Sequence, residues 1–171
     1  MTTPEREVLE SLLDQARADL VSTVRGLSET EARRRLVPSL TTPLTLVKHA
    51  TFAERMWFQR TLGRLADADC DGPLWAHGGF EVGDHESVAE VIAEFDRASA
   101  RARVIAASFP LHEVRAHPHT GAPISLRWMY VFMTGEFARH AGHGDILREQ
   151  LESMRGPGQP PASTTALPLA D

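Results

Sequence analysis

The sequence predicts an all-α chain folded as a four-helix bundle with long connections. Apolar residues recur at spacings of three and four in four long segments, and no segment shows the sustained alternation of a strand. Hydroxyl caps, prolines and glycines fall between those segments, where helices should start and stop. The chain has 171 residues, 42% of them hydrophobic and 24% charged, which is enough to bury a core without disulfides or a structural metal. Any metal it holds would therefore serve function more than folding.

The first helix is expected over about residues 4–26, with Val8, Leu12, Leu13, Ala16, Leu20 and Val24 on one face. Ser28 then opens SETE, a capping box in which Ser28 takes the Glu31 amide and Glu31 reaches back, so a short helix should run over residues 29–36. Thr41, Thr42 and Pro43 supply a cap and a proline near the first helical position, which starts a second long helix ending about Leu62. Residues 63–86 are rich in Gly and Asp and read as a long connection, a kind that is often functional. Val88, Val91, Ile92, Phe95, Ala98, Ala102, Ile105 and Ala106 define a third long helix that stops near Phe109 and Pro110.

Residues 111–123 carry Pro118, Gly121 and Pro123 and suit a turn or short hairpin that connects two helices. The fourth long helix should begin at Ile124 or Ser125 and run to about Met154. It is apolar almost all round from Trp128 to Met133, so that part is expected at the bundle centre. The closing RGPGQPPASTTALPLAD has the composition of a disordered tail, which divides the chain into a bundle at 1–154 and a flexible tail at 155–171.

A net charge of −5 is the wrong sign for a protein that neutralises phosphates, so nucleic acid is not an expected partner. The single Cys70 cannot form an internal disulfide, and the start MTTPEREVLE has no apolar stretch of the signal-peptide kind. The longest apolar run, Trp128 to Met133, is far shorter than the roughly 20 residues a membrane span needs. The expected setting is cytoplasmic, with no membrane contact.

Chemistry concentrates in the fourth helix, in EFARHAGH. Glu136 and His140 stand four apart, about 40° around a helix and roughly 6 Å along it, so both project to one side and can chelate one cation. His143 lies close to the same stripe, and Gly135, Gly142 and Gly144 are costly enough in a helix to imply close approach by a neighbour. His49 sits among Leu46, Val47, Ala50 and Phe52, and bundle metal sites draw on facing helices. Spacing alone leaves two simpler readings open: a solvated Glu–His pair, and a hydrogen-bonded core histidine.

The segments LTLVKHATFAERMWFQRTLG and SLRWMYVFMTGEFARHAGHGDILREQLE resemble the two signature stretches of the DinB-like superfamily, particularly an actinobacterial branch of it. The resemblance covers most of residues 5–153 and is similar to the mycothiol-dependent maleylpyruvate isomerases and bacillithiol S-transferases. It implies a four-helix bundle holding a divalent metal through one residue of the second long helix and two of the last. Carried over by position, those ligands are His49, Glu136 and His140, with His143 as a catalytic neighbour or a partner of the ligands. Three N/O ligands with an open position suit Zn²⁺, Ni²⁺, Fe²⁺ or Mn²⁺. Two positions depart from the family pattern: Phe132 stands where many members have histidine, and Gly135 where an acidic residue is usual. That alters the pocket, and so the substrate, more than it alters the ligands.

The resemblance further implies that the cation activates a small mycothiol-type thiol for transfer to an electrophile, or for isomerisation through a thiol adduct. A non-catalytic binder of a small ligand or metal and a metal-dependent hydrolase are the alternatives, and a homodimer is possible. Phe132, Trp57 and Arg139 are the expected pocket lining, with Trp75 also near its mouth; Phe58 and Trp128 read as core. His112, His117 and His119 read as surface or pocket rim. Acidic neighbours should disfavour the Cys70 thiolate. Arg55, Arg139 and Arg148 are candidates for a thiol cofactor's carboxylate, although ordinary salt bridges explain them equally well.

Overall fold

The computed structural model describes residues 4–74 and 76–155. Trp75 and the tail from 156 onward lie outside the described residues, whereas Arg155 is held to the body by an ion pair from its Nε to Glu31 Oε1 at 2.8 Å.

Helix α1 (Glu5–Ser22) ends earlier than its periodicity implies, and a turn carries the chain to Gly26 at φ +75°. Leu13, Ala16, Leu20 and Val24 are buried as expected, but Leu12 is 52% exposed and Val8 is exposed too. The buried stripe follows Leu9, Leu13, Ala16 and Leu20, at spacings of four, three and four, which leaves Val8 and Leu12 on its flank. The capping box at Ser28 forms and opens α2 (Glu29–Ala32), one turn shorter than expected.

Thr42 caps α3 (Pro43–Glu54), its Oγ1 accepting from the Thr45 amide at 3.1 Å. The predicted helix continues to Leu62, but residues Arg55–Leu62 wind as a π-helix. There the Thr61 hydroxyl donates to the Met56 carbonyl at 2.8 Å and the Gly63 amide to the Phe58 carbonyl at 3.0 Å, both five residues back. Helix α4 (Val88–Ala107) starts at a third capping box, Ser87 with Glu90. Strands β1 (Val114–Ala116) and β2 (Pro123–Ser125) pair antiparallel, with Val114 opposite Ser125. At three residues each, they are too short for alternation to reveal. Ile124 and Ser125 therefore belong to the hairpin, and α5 (Leu126–Ser153) begins after Ser125, whose Oγ accepts from the Trp128 amide at 3.1 Å.

Helix α1 lies along α5, α3 packs on α4, and α3 also meets α5. Leu126, Met129, Tyr130 and Met133 of α5 are buried, yet Val131 is 60% exposed and Trp128 is exposed as well. The apolar run on α5 is thus not central on every side, because the bundle covers only one of its faces. Among the described residues no helix is long and apolar enough to cross a membrane.

The core also encloses ions. Glu54 accepts from Arg17 Nε at 2.7 Å and Nη2 at 2.9 Å and from the Ser99 hydroxyl at 3.3 Å. Glu94 of α4 joins Lys48 at 3.0 Å and Arg55 at 2.9 Å, and Arg55 also donates to Asp71 at 2.7 Å and to the Pro73 carbonyl at 3.1 Å. Gly72 leaves room for that guanidinium: a Cβ there would lie 2.2 Å from Arg55 Nη2. These contacts fasten the long connection to α3 and α4.

Candidate functional site

The α3–α5 contact sets His49 against Glu136 and His140. Glu136 Oε1 lies 3.0 Å from His140 Nε2 and 3.7 Å from His49 Nε2. The two imidazoles meet edge to face, with centroids 4.9 Å apart. One ligating atom from each of the three residues lies within 4.8 Å of the others. Two nitrogen or oxygen ligands at about 2.0–2.1 Å from a tetrahedral ion stand roughly 3.3 Å apart, a value between the 3.0 and 3.7 Å found here.

The hydrogen bonding of His49 decides which of its nitrogens faces the site. Its Nδ1 lies 2.5 Å from the Gly78 carbonyl, which only accepts, so Nδ1 carries the proton. In the neutral ring the Nε2 lone pair then points toward the Glu136 carboxylate. Two acceptors face one another, an arrangement that a proton or a cation between them relieves. His140 supplies the second indication. Its Nδ1 is buried without a hydrogen-bond partner, and desolvation by burial pushes the ring below the ordinary imidazole pKa while the Glu136 charge opposes it. A ring held neutral keeps a lone pair for a ligand role.

The long connection after α3 completes the setting. Phe80 stacks on His49 at a centroid distance of 4.3 Å. Gly78 and Gly79 have φ of +65° and +77°, and a Cβ on Gly79 would come 3.0 Å from the Lys48 carbonyl and 3.3 Å from His49 Cα, so the loop passes directly over the histidine. A cavity of about 190 Å³ opens beside His49 and Glu136, walled by Phe52, Met56, Trp57 and Phe132, with His117 and His119 at its edge.

The structure thus brings the three sequence-derived ligand candidates together and places Trp57 and Phe132 in the cavity wall. Arg139 is not in that wall; it is exposed and donates to Glu136 Oε2 at 3.1 Å, steadying the carboxylate from outside. His143 is exposed, its ring 5.8 Å from that of His140. His112 is exposed, whereas His117 packs against Trp57 at 5.2 Å and Trp128 at 5.7 Å.

Other expectations change. Arg55 is buried in the ionic network and Arg148 donates to the carbonyls of Ser22, Thr23 and Arg25 at the end of α1, so neither faces the cavity. The Cys70 thiol is pushed up first by desolvation, with Asp67 and Asp71 adding to it and Arg60 opposing, so burial leads where the sequence pointed to charge. Of the three α5 glycines, only Gly144 meets a neighbour: a Cβ would lie 2.6 Å from Thr23 Oγ1, while Gly135 and Gly142 face open space. Sequence reasoning missed Gly78 and Phe80, for which the Gly78–Gly79 pair was the available signal.

A mostly helical bundle with two histidines and a glutamate gathered from α3 and α5 defines the class to which this molecule belongs: the DinB-like proteins. Residues 8–153 match the model of the Mycothiol-S-transferase family, and the chain belongs to that family. No curated protein and no solved structure matches it.

Proposed function

We propose that this chain is a metal-dependent S-transferase that joins a mycothiol-type thiol to an electrophile. The observation that carries the proposal is the meeting of His49, Glu136 and His140 at the foot of a small apolar cavity, in a chain of the Mycothiol-S-transferase family. His49 through Nε2, Glu136 through Oε1 and His140 through Nε2 would hold the ion. A divalent cation there supplies Lewis acidity, lowering the pKa of a thiol and keeping it as thiolate near neutral pH. Zn²⁺, Ni²⁺, Fe²⁺ and Mn²⁺ all accept such ligands.

The protein's own groups then position and enclose. The Gly78 carbonyl keeps His49 in the tautomer that leaves Nε2 free, and Phe80 fixes the ring plane. Phe52, Met56, Trp57 and Phe132 exclude water from the space where sulfur meets carbon. In the transfer the thiol loses its proton to solvent, a C–S bond forms, and the electrophile's leaving group departs with its bonding pair. For an electrophile that adds across a double bond, the carbanion takes a proton from water instead. The chain needs no nucleophile of its own, in keeping with the raised pKa of Cys70.

The test is elemental analysis of untagged full-length protein, purified without chelator and after reconstitution with each metal, beside His49→Ala and His140→Ala. The expected result is near-stoichiometric metal that both substitutions remove while far-UV circular dichroism stays unchanged. Product formation must then require added thiol. Absence of metal in every reconstitution, or equal turnover with water alone, refutes the proposal.

A further inference from the structure

Next to the cavity lies a second, larger cleft of about 950 Å³, and the two share Phe52, Met56 and His119 in their walls. The larger cleft is rimmed by Arg60, Arg64 and Arg115 against one carboxylate, Asp67. With Glu113 paired to Arg115, the cleft keeps an excess of one positive charge in a chain of net charge −5. Arg60 is paired with Asp67 at 2.7 Å, and Arg115 donates to the Leu62 carbonyl at 2.9 Å and to Glu113. Arg64 differs: it is exposed at the cleft and makes no side-chain hydrogen bond or ion pair among the described residues.

The backbone at Arg64 is also unusual. The Gly63 amide bonds the Phe58 carbonyl and the Leu65 amide the Gln59 carbonyl at 3.0 Å each, a helix-ending arrangement that places the intervening Arg64 in the left-handed region at φ +54°. Glycine is the residue this position favours, and Arg64 is the only described non-glycine residue with positive φ. An arginine held there against backbone preference, exposed at the cleft and without a partner among the described residues, is available to a ligand.

Resting on the transferase proposal, we infer that the electrophile is a small aromatic compound carrying an anionic group such as a carboxylate. Its ring occupies the Trp57 and Phe132 cavity beside His49, and its anion reaches the Arg64 side of the neighbouring cleft, where Arg60 and Arg115 are already paired with Asp67 and Glu113 and Arg64 supplies the uncompensated charge. Arg64 is then the residue that determines specificity, through a charge-assisted hydrogen bond that no described residue competes for. With an aryl halide the balance is simple: the thiol proton goes to solvent, the C–S bond forms, and halide leaves with the electron pair of the broken carbon–halogen bond.

Calorimetric titration of the full chain with 4-chloro-3-nitrobenzoate and with its methyl ester, both without thiol, tests this independently of turnover. The carboxylate should bind about tenfold more tightly than the ester, and added salt should shrink the difference. Arg64→Gly should bring the two constants within about threefold without lowering the melting temperature, because glycine suits the left-handed position. His140→Ala should keep the preference. Equal constants in the unmodified protein, or no binding of either compound, overturn the inference. So does a preference that survives Arg64→Gly and disappears in His140→Ala, since the carboxylate would then be binding at the His49–Glu136–His140 cluster. Loss of thiol transfer with the carboxylate preference intact would count against the transferase proposal and not against this subsite.

Discussion

The Gly78 carbonyl is a small feature with a large consequence, because a single hydrogen bond selects the nitrogen of His49 that faces Glu136. Backbone groups that orient ligand histidines typically change metal affinity 10–100-fold when disturbed. Gly78→Ala adds a Cβ 3.4 Å from His49 Nδ1 at a φ of +65°, where side chains are strained. That substitution should weaken metal binding about tenfold in competition with a chromogenic chelator, and cost on the order of 1 kcal/mol in urea unfolding. His143 offers the complementary control. Being exposed and behind His140, its replacement by Ala should leave metal content intact and alter turnover. Loss of metal as complete as in His140→Ala would move the ligand assignment by one turn.

Among the elements, α5 supplies Glu136 and His140, and the second long helix serves both the site and the cleft through a change of pitch. Its α-helical part presents His49 toward α5, and the π-helical part carries Trp57 into the cavity wall and ends at Gly63 with Arg64 on the cleft. The short α2 is a fastening point at the other end of the fold. Glu31 accepts from Arg155 at 2.8 Å and from the Ser28 amide at 2.9 Å, and these hydrogen bonds, Arg155 first, hold its carboxyl at about 2 against an ordinary 4.5. A carboxyl depressed on folding stabilises fully above its unfolded pKa and loses that contribution as pH falls toward the folded one. Melting temperature should therefore decline between about pH 4.5 and 2 through this group, and Glu31→Gln should flatten that part of the profile. An identical acid limb in the variant would show that the contact adds nothing.

Across the whole molecule, the buried charges tie the helices to one another and to the site. Arg17 of α1 meets Glu54 of α3, and Lys48 of α3 and Arg55 of the π-helical segment that follows it meet Glu94 of α4, so three helices are linked through ions inside the core. Removing Glu54 takes from the buried Arg17 its buried carboxylate and leaves it only Asp14, 2.6 Å away and half exposed. Glu54→Ala should cost about 3–5 kcal/mol in chemical unfolding. Replacing both partners, as Arg17→Met with Glu54→Leu, should cost much less, because the price of such a pair is desolvation and the double variant removes it. Equal losses in the single and double variants would mean that packing, not charge, governs this part of the core.

Much of this protein was determined by its sequence alone. Four long helices, the Ser28 capping box, the Thr42 hydroxyl cap and the fourfold spacing of Glu136 and His140 are local properties, fixed by periods of 3.6 and by side chains that bond the nearest amides. The ligand candidates were legible because helix geometry and the family resemblance both pointed at them. Tertiary structure decided the rest. Only packing could show that α3 faces α5, that Lys48, Glu54 and Arg55 turn inward to charged partners, and that Val8, Leu12 and Val131 stay outside. The π-helical turn, the Gly78 carbonyl over His49 and the arginine cleft depend on long-range contacts of a connection without periodicity. Hydrophobic spacing reports which side of a helix is apolar; what lies against that side, and which loop closes over it, is set by the other elements of the fold.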